Sequence, residues 1–265
     1  AKKYVKKWSK GKDINNAFIL VDPLVPMVAI PVRKLAQKLG VKIAAIVTDI
    51  PSLSTTMKNR KDNTIKRTFL SIYQHISDKD LQKYDAYITL TESINDAINI
   101  NQKPHIVIEG FADSEDVEIL EKHENYIMYA GGVYEKYGVK SLVEAFMKID
   151  RKDVDLYIFG EGTYVGELKA ICAKNSRIKY MGCISTDAVV EYEKKALLLV
   201  NPRPTNEEFS KYSFPSKTIE YLLSGTAVVS TNLPGIPEEY FKYMFKFSDC
   251  TTEAIRKDLN WILSQ

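Results

Sequence analysis

The sequence is poor in the residues that mark several large classes of protein. Its three cysteines, Cys172, Cys183 and Cys250, are scattered and odd in number. That suits a reducing compartment and excludes a cysteine-built zinc site. The three histidines, His75, His105 and His123, show no HxxxH spacing, which argues against a histidine-rich metal centre. No apolar run approaches the ~18 residues that span a bilayer, no secretory signal pattern is visible, and there is no internal repeat. Lys and Arg total 37 against 34 for Asp and Glu, a formal net charge of +3. There is thus no general polyanion-binding signal, and nucleic acid is not an expected partner. Lysines do cluster in the opening AKKYVKKWSKGK, either as a solvated terminus or as a contact with an anionic membrane surface. The expected location is cytoplasmic.

What is present is an alternation of short apolar β-rich runs with longer helix-period segments. The runs are AFILV (17–21), KIAAIV (42–47), AYITL (86–90), HIVIE (105–109), YIMYA (126–130), DLYIF (155–159), IKYM (178–181), LLLVN (197–201), AVVST (227–231) and MFKF (244–247). Several are apolar on successive residues, as strands covered on both faces are. Helices are expected over Val32–Leu39, closed by Gly40, and over Ser141–Ile149, Tyr164–Lys174, Asp187–Lys195, Ser216–Ser224 and Thr252–Leu263. This rhythm predicts an α/β protein of two Rossmann-like domains with parallel sheets. The acidic, polar stretch 110–125 is the best boundary, giving domains 1–120 and 121–265. The second is a full doubly wound domain with five expected strands; the first, with four, is partial. Residues 54–84 carry no clear strand and read as one or two surface helices, with five Lys or Arg between Lys58 and Arg67.

In open α/β sheets, ligands bind beyond the carboxyl ends of the strands, so the residues after each strand of the second domain are the candidates. After YIMYA, Gly131 and Gly132 let backbone N–H groups approach a phosphate, and Lys136 adds charge as the next helix begins. After DLYIF comes Gly160-Glu161-Gly162, and after IKYM comes Gly182-Cys183-Ile184 before a helix capped by Ser185 or Thr186. Each is explained equally well as a tight turn. After LLLVN runs the longest loop of the domain, residues 202–225, and long loops in compact domains tend to be functional. Pro215 suits a first helical turn. Lys217, in that turn, opposes the helix dipole, a placement that makes sense if it faces a bound phosphate. Glu220 lies on the same face, as a ribose-binding carboxylate or as half of an i,i+3 surface ion pair.

The ordered set YIMYAGGVYEKYGVKSLVEAF, LYIFGEG, RIKYMGCIS and SFPSKTIEYLLSGTAVVSTNLPGIPEEY resembles the nucleotide-sugar-binding half of GT-B glycosyltransferases of family 4. GVKIAAIVTDIP and YDAYITLTESIN…KPHIVIEGFAD resemble the end of that fold's acceptor-side domain. The resemblance implies a retaining transfer of sugar from a nucleoside diphosphate to a glycan or lipid-linked acceptor in surface polysaccharide assembly, with no metal or other cofactor. It places Glu220 as the second glutamate of the E-x7-E motif, on the ribose, and Lys136 as the phosphate lysine of the first loop. Ser213, Phe214 and Ser216 fall where backbone meets sugar and diphosphate, and Gly182 to Ile184 form the base-binding turn.

Two departures stand out. Seven residues separate Tyr212 from Glu220, so Tyr212 holds the place of the sugar-contacting first glutamate. The arginine that commonly precedes the loop lysine is missing, with Ala130, Gly131 and Gly132 there instead; Lys217 or Arg203 is the candidate replacement. The first domain is short by roughly two βα units of a full doubly wound sheet, from a truncated chain or an unusual acceptor side. On that side Asp49, after KIAAIV, is the candidate catalytic residue, a turn-forming Asp before Pro being the other reading. The basic stretch 58–67 is a candidate peripheral contact with the inner face of a membrane, or a solvated helix face. The rival readings are another GT-B enzyme, a nucleotide-sugar 2-epimerase, and a non-catalytic nucleotide-sugar-binding protein.

Overall fold

The computed structural model describes residues 1–10, 13–50, 64–111, 124–206 and 208–265. They divide into two compact units, 1–109 with 211–214 and 110–210 with 215–265. The boundary expected at 120/121 lies outside the described residues. The return of 211–214 to the first unit has no counterpart in the sequence reading.

The first unit comprises α1 (Lys2–Trp8), β1 (Phe18–Val21), α2 (Pro26–Leu39), β2 (Lys42–Val47), α3 (Thr64–Leu81), β3 (Ala86–Thr89), α4 (Glu92–Ala97) and β4 (His105–Val107). Its strands are parallel and lie side by side in chain order. The lysine-rich start forms α1, which buries none of its residues. Helix α2 begins at Pro26 rather than Val32, because a proline is preorganised for the first turn; Gly40 ends it at φ 72°, the left-handed cap expected there. Most of the basic stretch 58–67 lies outside the described residues, its end forming the start of α3. Ile43, Ala45 and Val47 of β2 point to one face and meet Val32 and Ala36 of α2, Leu81 of α3 and Ile94 of α4. Arg33 Nε donates to Asp80 Oδ2 at 3.0 Å within this layer, tying α2 to α3 through a buried ion pair. The other face of the sheet leaves Phe18, Leu20 and Ile106 exposed.

The second unit contains β5 (Tyr126–Ala130), α5 (Val139–Phe146), β6 (Asp155–Phe159), α6 (Val165–Cys172), β7 (Ile178–Gly182), α7 (Thr186–Lys195), β8 (Leu198–Asn201), α8 (Lys217–Leu223), β9 (Val228–Ser230), β10 (Phe245–Lys246) and α9 (Thr252–Ile262). Its parallel sheet has six strands in the order β10-β9-β8-β5-β6-β7. The sixth is the short β10 within the run MFKF, paired to β9. All five residues of β5 are buried, as the unbroken apolar run YIMYA predicts for a strand with helices on both faces. On one face Ile127, Leu156, Leu198 and Val200 pack with Phe146 of α5 and Leu259 of α9. On the other the Tyr126 ring stacks on Tyr157 at 4.2 Å, and both meet Tyr192 of α7 edge-on.

Helix α7 starts where the N-cap signal puts it: the Ser185 side chain accepts from the Ala188 N–H at 3.4 Å. Ser185→Ala therefore removes one partner of an otherwise unsatisfied helix donor, and a loss of about 1 kcal/mol in urea unfolding is expected. The strand order carries the main consequence for function. From β5 the chain steps outward through β6 and β7, then returns across the sheet to β8 and steps outward the other way. The loops leaving β5 and β8 thus diverge, and a crevice opens between them at the carboxyl edge.

Candidate functional site

A cavity of about 190 Å³ occupies that crevice. Gly131 and Gly132 after β5 form one wall, Asn201 at the end of β8 and Arg203 beyond it another, and the stretch Pro215 to Lys217 entering α8 closes it. Tyr221 fixes the floor. Its buried hydroxyl accepts from the Ala130 N–H at 2.8 Å and donates to the Ala130 carbonyl at 3.3 Å, joining α8 to the end of β5. Burial and the nearby carboxylates hold that phenol well above its ordinary pKa, so it remains a neutral strut. The Tyr129 hydroxyl likewise donates to the Gly132 carbonyl at 2.9 Å, setting the course of the first loop.

The three glycine-bearing turns are stitched into one backbone layer. Gly131 N–H donates to Phe159 O, Val133 N–H to Glu161 O, and Gly160 N–H to Gly182 O, at 3.1, 2.8 and 2.8 Å. The glycines of Gly160-Glu161-Gly162 allow this contact: a Cβ on Gly160 would lie 1.8 Å from the Gly131 carbonyl oxygen, and one on Gly162 2.0 Å from that of Val133. These two residues support the cavity wall from behind, and neither lines it. Glu161 and Cys183 are exposed, as is Ile184, and all three stand outside the lining with Gly182.

The cations separate the expected residues further. Lys217 and Arg203 line the cavity; Lys136 does not, its ammonium lying over the rings of Tyr134 and Tyr137 at 5.7 and 5.1 Å. Tyr137 reaches the cavity instead and carries the Arg203 guanidinium 4.8 Å above its ring. Burial pulls the Arg203 pKa down, opposed by the electron-rich phenols of Tyr137 and Tyr129. Helix α8 begins at Lys217 with Ser216 as its cap, so Pro215 precedes the helix rather than standing in its first turn. Its carbonyl accepts from the Thr218 N–H at 2.8 Å. Ser216 lines the cavity, whereas Tyr212, Ser213 and Phe214 belong to the first unit. Tyr212 packs against that unit's core. Asp49 is also in the first unit, and its Oδ1 accepts from the Ile50 N–H at 2.8 Å, the turn-forming contact.

Lys217 at the start of a helix looked misplaced, and two carboxylates account for it. Its ammonium donates to Glu220, three residues on, and to Glu193 Oε1 of α7 at 3.1 Å. Glu193 is 0% exposed. Burial, partly offset by Lys217 and reinforced by the charge of Glu220, pushes its pKa up to about 8. Sequence reasoning missed this residue. The available signal was Glu193 four residues after the buried Val189, which puts a carboxyl on the inward face of an amphipathic helix. Tyr221 and Tyr137 were missed as well, although each adjoins a residue that was singled out.

A family model described as "Glycosyl transferases group 1" matches residues 124–264. The chain belongs to this family. Among solved structures, this glycosyltransferase resembles the apo form of the lipopolysaccharide outer core galactosyltransferase WaaB, with a TM-score of 0.68 and 14% identity, covering 99% of this chain and 69% of WaaB. A mutant of S. aureus TarM, in complex with fondaparinux, alpha-GlcNAc-glycerol and UDP, aligns with a TM-score of 0.68 and 13% identity, covering 100% of this chain and 51% of TarM. Anabaena HepE in complex with UDP gives 0.63 and 13% over 93% of this chain and 69% of HepE. At these identities the likeness is one of fold: a GT-B glycosyltransferase with one complete sheet domain and a second, partial one. The chain spans about half the length of TarM. No curated protein sequence matches it.

Proposed function

We propose that the cavity binds the diphosphate of a nucleoside-diphosphate sugar and that the protein transfers the sugar, with retention and without a metal, to a glycan or lipid-linked acceptor in surface polysaccharide assembly on the cytoplasmic side of a membrane. The observation that carries this reading is the placement of two cations, Arg203 and Lys217, with the glycine-lined first loop in one crevice at the switch point of the sheet. When the bond between the anomeric carbon and the β-phosphate oxygen breaks, negative charge grows on the departing diphosphate. Fixed cations in a partly dry site stabilise that charge more in the transition state than in the bound donor, and the barrier falls. Arg203 replaces the arginine missing from the first loop, and its seat over Tyr137 fixes its position. Among the described residues no helix is long and apolar enough to cross a membrane.

Titration with UDP, ADP, GDP and CDP by calorimetry tests donor binding; no binding by any of the four would overturn it. Product formation with a glycan acceptor separates an enzyme from a binder. Glu220 gives a finer test. Its carboxylate is held by Lys217, which lines the cavity, while Glu220 itself does not; a ribose reaching past Lys217 would donate both hydroxyls to it. Glu220→Ala is expected to weaken the preferred nucleoside diphosphate by about 1.5 kcal/mol, since hydrogen bonds to a charged group are worth ~1.5–3 kcal/mol. An unchanged affinity would remove the ribose role.

A further inference from the structure

Glu193 takes no part in the mechanism above, yet it is the most deeply buried charged group beside the cavity. It projects from α7 into the layer between that helix and α8. One of its oxygens accepts from Lys217 at 3.1 Å; the other, Oε2, receives no donor among the described residues. A buried carboxylate with an unsatisfied oxygen is unfavourable, and a proton removes the difficulty, because Glu220 lies within hydrogen-bonding reach of the protonated group. The other groups facing it are few. Lys217, Glu220 and the neutral Tyr221 phenol come from α8, and beyond α8 Thr226 donates its hydroxyl to the Glu193 backbone carbonyl at 2.7 Å. One ammonium therefore serves two carboxyls, on a side chain that is 32% exposed and belongs to a residue lining the cavity.

We propose that Glu193 is a positioning residue of the donor site, a buried, proton-gated carboxyl that decides how much of the Lys217 charge an incoming diphosphate can use. Protonated, it accepts a hydrogen bond from Lys217 and leaves the ammonium's charge to Glu220 and the ligand. Ionised, it claims that charge and adds a negative charge of its own beneath the anion site. Ligand binding and proton binding at Glu193 thus favour one another, by the reciprocity of linked equilibria. Burial, with the charge of Glu220 beside it, pushes the Glu193 pKa up to about 8. Below it the carboxyl is neutral and binding is at full strength; as pH rises through 8 the proton is lost from the free protein and affinity falls. This inference rests on the donor-site reading.

The test is UDP affinity by calorimetry between pH 7 and pH 9, in wild type, Glu193→Gln and, should glutamine not fold, Glu193→Met of similar length. If diphosphate raises the Glu193 pKa by one unit, wild-type affinity drops by about fivefold from pH 7 to pH 9. Both variants should lose this drop, and uridine should show no drop in any of them. Parallel pH profiles in wild type and variant would overturn the proposal. A ligand-free measurement separates its failure from that of the donor-site reading. Acetylation of Lys217 at pH 9, followed by peptide mass spectrometry, should run several-fold faster in Glu193→Gln, where no ionised Glu193 holds the ammonium. Faster labelling with no UDP binding at any pH would sink the donor site and leave the Glu193–Lys217 coupling standing. Equal labelling rates would sink the coupling itself.

Discussion

Gly160→Ala is expected to lower the stability of the second unit by about 3 kcal/mol or more. Two independent costs meet at this position. Its φ of +119° is one that a residue with a side chain rarely adopts, and an added Cβ would stand 1.8 Å from the carbonyl oxygen of Gly131. Relief requires the first loop to move away, which breaks the hydrogen bond from Gly131 N–H to Phe159 O at 3.1 Å. The neighbouring elements cannot absorb that shift, because β5 and β6 are packed among residues of 0–8% exposure. Urea unfolding should show a lower midpoint at unchanged slope. Gly166→Ala is the matched control: it lies inside α6, a Cβ there meets nothing within 4 Å, and a neutral or slightly stabilising result is expected. Comparable losses in the two variants would show that the close approach of the loops is not what demands glycine at 160.

Lys217→Ala is expected to weaken binding of a nucleoside diphosphate by about 2–3 kcal/mol while changing affinity for the nucleoside alone by less than ~0.5 kcal/mol. Lys217 lines the cavity, and an ammonium there would pair with the charged diphosphate rather than with the uncharged nucleoside. Its loss also removes the cation that Glu193 and Glu220 share. Glu193 then keeps its proton to higher pH, so the buried carboxyl need not remain as an uncompensated charge, and the fold should survive at neutral pH. Calorimetry with diphosphate and nucleoside in parallel checks the difference. Equal losses for the two ligands would place Lys217 away from the phosphates. Arg203 supplies the second cation from another loop, so residual binding that weakens with added salt is expected in the variant.

Much of the architecture was legible in the chain because it is written locally. Each of the ten apolar runs contains a strand whose ends lie within two residues of the ends of the run, and the helices that follow in the second unit start close to their capping residues. The order of the four glycine and proline motifs carried the family, since their spacing reflects the repeat of strand and helix in one sheet. Lys217, Arg203 and the paired glycines Gly131 and Gly132 were identifiable as cavity residues because they follow directly after strands or open a helix at the carboxyl edge. Lys136 shows the limit of that logic: it lies on the right loop, but its neighbour Tyr137 faces the cavity. On a short 3₁₀ turn such as Glu135–Tyr137, adjacent residues point in very different directions, and no periodicity in the sequence says which.

By itself the sequence determined the strands, the helices of the second unit, the parallel α/β class and the family, because periodicity, caps and turn glycines act over a few residues and survive in any chain that keeps them. Tertiary structure alone decided that Gly160 and Gly162 serve the neighbouring loop's backbone, that Tyr212 packs in the first unit, and that the lysine opening α8 is held by a carboxyl 24 residues away. The physical reason is common to all three. Close backbone approach, core membership and the pairing of buried charges depend on which surfaces meet when separate elements pack, and nothing in the local pattern of either partner records the other.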